Sequence, residues 1–202
     1  MTTVIRYGRS LLLAAALGVG PSAAAQSWST TLSGASEGTT SPGTGSATFS
    51  LSAANIFSMS IEWANLVGTT TIAHIHCCTT TPFTGFVSPV TPLPTFPGFP
   101  TLTTSGTFNA DYDLTQPGFF TQAFVDANGG TVASARAAFV NYLFQGRSYL
   151  NIHTTAFGGG EIRGFIVGAD QVVVPEPATM WLLATGLIGV AVFARRRVTT
   201  VG

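Results

Sequence analysis

The chain has 202 residues, a mean hydropathy of +0.40 and no formal net charge, with only 8% of its residues charged. Two apolar ends set that average; residues 26–174 between them are enough for one modest core. This body keeps Glu37, Glu62, Asp111, Asp113, Asp126, Glu161 and Asp170 against Arg136, Arg147 and Arg163, a balance of −4. The basic footprint of a nucleic-acid binder is therefore missing.

Residues 1–25 read as a secretory signal peptide. Arg6 and Arg9 form a positive start, Leu11–Val19 a short apolar run, and Pro21 a helix break. Ala23-Ala24-Ala25 fits the small-residue rule for cleavage before Gln26. The apolar run is about half the length a bilayer needs, so a first membrane span is the weaker reading.

The body reads as all-β, with short apolar runs bounded by Gly, Pro, Asn and Ser turns. Ser46–Leu51 is a strand candidate. Phe57–Trp63 is a clearer one, because Phe57, Met59, Ile61 and Trp63 alternate with Ser58, Ser60 and Glu62. Thr69–His76 is another. Thr81–Pro100 holds most of the body's prolines and should be an extended loop. Thr104–Phe108 and Asp111–Leu114 are expected as two further short strands.

One helix is expected over Val132–Leu143, capped by Thr131, with Val132, Ala135, Phe139 and Leu143 as its apolar stripe and Gly146 as its stop. The last strands, Ser148–Thr154 and Glu161–Val167, flank a glycine-rich hairpin connection at Thr155–Gly160. The expected fold is an antiparallel β-sandwich with one short helix.

The C-terminal end has three parts. Val174-Pro175-Glu176-Pro177 closes a linker at 171–177, Ala178–Ala194 follows without a charge, and Arg195-Arg196-Arg197 opens an Arg-rich tail at 195–202. Seventeen helical residues reach about 26 Å, just enough to cross the hydrocarbon core. The arginines hold that terminus in the cytoplasm by the positive-inside rule, leaving the body outside. This order resembles the PEP-CTERM sorting signal of Gram-negative bacteria. The resemblance implies an exosortase-type processing enzyme as partner and an inner-membrane-anchored precursor. It also implies later release to the cell surface or medium, and a link with exopolysaccharide and biofilm formation.

A second resemblance covers the body, roughly Trp28 to Val167, so that 26–170 is expected as one domain. Leu32-Ser33-Gly34-Ala35 with Glu37, Ala73-His74-Ile75-His76, Tyr149-Leu150-Asn151-Ile152-His153-Thr154 and Gly160-Glu161-Ile162-Arg163-Gly164 resemble the signatures of the CHRD domain. The resemblance implies an all-β, non-catalytic module. The Cys77-Cys78 pair stands where chordin-like members often have a glycine-containing turn.

All three histidines fall in those motifs. On a strand, His74 and His76 share one face about 6.5–7 Å apart. Such a pair is a common start for a zinc or copper site, and His153 supplies a third imidazole if its strand is a neighbour. Cys77 and Cys78 are candidate thiolate ligands. Being adjacent, they leave a vicinal disulfide, metal thiolates, free thiols or intermolecular bridges open. The competing reading is that the imidazoles are hydrogen-bonded members of a polar patch on the sheet.

Other motifs carry less. Asp126-Ala127-Asn128-Gly129 lacks the closing glutamate of a calcium loop, because the twelfth position is Ala137. Asp111 and Asp113 read as a solvated edge, and Glu161 and Arg163 as structural ion pairs or hairpin caps. A dinuclear dismutase-like centre needs more imidazoles than the chain has, and no nucleophile elbow, phosphate loop or dinucleotide motif is present. The expected function is a secreted, non-catalytic envelope or matrix module. The alternative is an extracytoplasmic copper- or zinc-binding protein. The exposed Ser and Thr with few charges suit contact with a hydroxyl-rich exopolysaccharide, and equally suit O-glycosylation or a merely neutral surface.

Overall fold

The computed structural model describes residues 25–168. The signal peptide, the Pro-Glu-Pro motif, the 178–194 span and the Arg195–Arg197 cluster lie outside the described residues. Among the described residues no helix is long and apolar enough to cross a membrane.

Among the described residues eight strands make one antiparallel sheet: β1 (Gln26–Ser33), β2 (Thr44–Leu51), β3 (Ile56–Ala64), β4 (Thr70–Cys77), β5 (Gly106–Asp113), β6 (Ser148–Thr154), β7 (Ile162–Phe165) and β8 (Val167–Gly168). Their order is β4-β6-β7-β1-β2-β3-β5, with β8 also on β1. The sheet wraps one core that joins Phe57, Met59 and Ile61 of β3 to Ala73 and Ile75 of β4 and Leu150 and Ile152 of β6. The all-β class is as expected.

Period-2 burial explains the strands. In β3, Phe57, Met59, Ile61 and Trp63 are buried, and Ser60 and Glu62 are exposed. β1 was not expected as a strand, yet Trp28, Thr30 and Leu32 alternate inward along its length. The two short pieces expected at 104–114 are one strand, β5, pairing with β3 from Ile56↔Asp113 to Trp63↔Gly106. It is a sheet edge, so Asp111 and Asp113 need no internal partner. The last expected strand is split into β7 and β8 around buried Ile166. Gly164 lets β7 approach β1, because a Cβ there would lie 2.0 Å from the Thr31 carbonyl oxygen.

The expected helix is α3 (Val132–Phe144), which follows α1 (Gly34–Glu37) and α2 (Gln122–Ala127). Thr131 caps α3 in a reciprocal box with Ser134. Ala135, Phe139 and Leu143 are buried, and Phe139 packs edge-on against Phe57 with centroids 5.7 Å apart. The two extra helices are only four and six residues long, too short for a sequence period to show.

Residues 78–102 form a strap along the free edge of β4. Ala73 N donates to Thr95 Oγ1, Ile75 N to Thr91 Oγ1 and Val90 N to the Ile75 carbonyl, each at 2.9 Å. The strap thus covers an edge that would otherwise invite pairing with another chain. It also buries the outer face of β4 and β6.

Candidate metal centre

The outer face of β4 and β6 carries the three histidines. The register pairs Ile72 with His153, His74 with Asn151 and His76 with Tyr149, so His153 stands diagonally beside His74. Ring centroids are 5.8 Å apart for His74 and His76, 5.6 Å for His74 and His153, and 6.2 Å for His76 and His153. Their exposures are 3%, 8% and 8%.

Each ring donates one N–H to a backbone carbonyl. His74 Nε2 donates to Pro94 at 2.6 Å, His76 Nδ1 to Val87 at 2.7 Å and His153 Nδ1 to Gly158 at 2.9 Å. A carbonyl only accepts, so these contacts fix the tautomers. The other nitrogens, His74 Nδ1, His76 Nε2 and His153 Nε2, then carry lone pairs. All three are buried and without a partner. The three residues offer ligand atoms that lie within 4.8 Å of one another. Burial holds all three rings below the usual imidazole range, His76 down to about 4, so they are neutral at physiological pH.

Cys77 and Cys78 add no thiolate. They are bonded to each other across a cis peptide, with Cα atoms 3.0 Å apart. Strand alternation also turns Cys77 away from His76, toward Ala73 and Ile75 in the core. Of the alternatives open in the sequence, the vicinal disulfide is the one formed.

Glu161 and Arg163 do not pair with each other. Arg163 Nε lies 3.4 Å from Glu37 Oε2 and donates to the Ser36 carbonyl at 2.6 Å, and its Nη1 reaches the Gly85 carbonyl at 3.0 Å. Phe86 covers the guanidinium at 4.0 Å, so Arg163 fastens the strap beside Val87. The sequence pattern did not reveal this fastening or the three carbonyl partners, because every residue has a carbonyl and the strap has no period.

Residues 173–197 match the PEP-CTERM protein-sorting motif, which marks the chain for export, for a membrane-anchored precursor and for exosortase processing. No curated protein and no solved structure matches the chain. Residues 28–166, from the inward Trp28 of β1 to Ile166 between β7 and β8, match the CHRD domain, and the chain belongs to that family.

Proposed function

We propose that the exported domain is a non-catalytic envelope or matrix module that holds one copper or zinc ion on His74, His76 and His153. One observation carries this reading: three buried imidazoles, each with an unpartnered lone-pair nitrogen, offer ligand atoms within 4.8 Å of one another. Leaving each unsatisfied costs about 1–3 kcal/mol. A bridging water has only two hydrogens for three acceptors, whereas a metal cation accepts all three lone pairs at once. The carbonyls of Pro94, Val87 and Gly158 orient the rings as such partners do for metal-bound histidine. The test is elemental analysis of the exported protein purified without a histidine tag or chelators. About one copper or zinc per chain is expected; metal-free protein that also fails to take up either ion overturns the reading.

A polysaccharide contact has separate support. Ser29, Thr48, Ser60 and Asn109 lie opposite one another across β1, β2, β3 and β5, all exposed. These hydrogen-bonding groups line a shallow cavity of about 800 Å³ that no cation lines, which suits a neutral, hydroxyl-rich chain. Co-sedimentation with host exopolysaccharide should be abolished by Thr48→Arg with Ser60→Arg; binding unchanged by both counts against it.

A further inference from the structure

We infer that the three-histidine site selects a singly charged cuprous ion over zinc or any other divalent ion. The inference rests on the metal-site reading above and names the ion that the site takes. All three converging ligands are neutral imidazoles, and the cluster contains no carboxylate. The only cysteines of the chain are bonded to each other and so supply no thiolate charge. The ion's whole charge must therefore be carried in a buried setting.

The cost of burying an ion grows with the square of its charge, so a divalent ion meets about fourfold the penalty of a monovalent one. Nearby charges do not offset this. Arg163 lies over the Tyr149 ring that stacks on His76, with its Cζ 5.0 Å from the ring centroid, and so sets a positive charge near the site. Its partner Glu37 balances it at 3.4 Å and leaves no surplus negative charge for a metal.

Coordination number points the same way. Zinc and cuprous copper are both closed-shell ions without a geometric preference from d-electrons, so charge and ligand number separate them. Zinc takes four ligands, the fourth in an open site being water. A cuprous ion is satisfied by three nitrogens in a plane, which is what three convergent lone pairs offer. The β4–β6 pleat supplies the three imidazoles, and among the described residues no carboxylate or thiolate joins them.

The experiment uses the exported protein, stripped of metal. Cuprous copper is titrated anaerobically against bicinchoninate, zinc against a chromophoric zinc chelator, and copper-loaded protein is examined by electron paramagnetic resonance in air. Cuprous binding at least about a hundredfold tighter than zinc binding is expected, with no cupric signal. Zinc binding equal to or tighter than cuprous binding overturns the inference but leaves the site standing. So does a cupric signal that accounts for the bound copper. Failure to bind either ion removes the metal-site reading and this one with it. His153→Ala should lower cuprous affinity by at least about tenfold, and unchanged affinity in that variant contradicts the assignment. Should that variant fail to fold, the native selectivity and the resonance signal still decide.

Discussion

Tyr149 lies flat against His76, with ring centroids 4.8 Å apart and planes 8° apart, and its hydroxyl meets the same Val87 that accepts the His76 proton. Val87 N also donates to that hydroxyl at 3.3 Å. Tyr149 therefore sets both the plane of His76 and the carbonyl that fixes its tautomer. Tyr149→Phe keeps the stack and removes the hydroxyl. Metal affinity should fall about tenfold, the low end for groups that orient a ligand, with a stability loss near 1 kcal/mol. Chelator competition and urea unfolding measure the two effects, and unchanged affinity argues that His76 is held by packing alone.

The buried histidines give the metal-free protein a defined acid sensitivity. Their folded values lie below the ordinary 6.5, so below that pH the unfolded chain binds protons that the folded rings refuse. Stability is intact above about 6.5 and falls as pH drops, by up to about 1.4 kcal/mol per pH unit for each histidine. The His76 contribution levels off at about 4. Glu37, held above its ordinary value by burial, works the other way and offsets part of the loss. Urea midpoints from pH 7.5 to 4.5 should fall, and His76→Gln should make the slope shallower. An identical slope in that variant places the sensitivity elsewhere.

How much of this was legible follows from burial on one face or two. β3 was plain because one side of it meets solvent, which makes Ser58, Ser60 and Glu62 alternate with apolar residues. β1 was missed because its inward set is Trp28, Thr30 and Leu32, with a threonine where an apolar residue would complete the pattern. β5 was cut in two at Asn109 and Ala110, residues that an edge strand tolerates. The shared face of His74 and His76 was readable from the strand period, and the same period sets Cys77 on the opposite side. The neighbouring of β4 and β6 depends on a pairing between distant segments, Thr70↔Thr154 to Cys77↔Ser148, and no local pattern encodes it.

Glu161 is the fixed point between the β3–β4 connection and the β6–β7 hairpin. Its Oε1 accepts from Ser41 Oγ at 2.5 Å and Val67 N at 2.6 Å, and its Oε2 from Thr154 Oγ1 at 2.7 Å and Gly68 N at 3.1 Å. Burial pushes the carboxyl up, but these four donors outweigh it and hold it below its ordinary value. Its contribution is therefore present above the unfolded value near 4.5 and lost as pH falls through the lower folded one. Glu161→Gln places an amide donor against two existing donors. A loss of about 2–4 kcal/mol is expected from the unmatched group and the weakened charge-assisted bonds. Urea unfolding checks it, and a loss under about 0.5 kcal/mol, the level of an ordinary surface change, contradicts the assigned role.

Processing should leave a mature chain that starts at Gln26 and ends near Pro175–Pro177. Ala23-Ala24-Ala25 supplies the small residues that signal cleavage needs, and the matched sorting motif begins at 173. The fold is compatible with this product: β1 begins at Gln26 and β8 ends at Gly168, so neither cut removes a strand of the described residues. Intact-mass measurement on protein from the host decides between release and retention. A species that keeps Trp181 and Arg195–Arg197 shows a permanent anchor. Replacing Pro175 and Pro177 by Ala should trap the precursor in the membrane, because without proline a helix can run through the recognition segment. Normal release of that double variant shows that the enzyme reads the helix and the arginines rather than a proline-enforced turn.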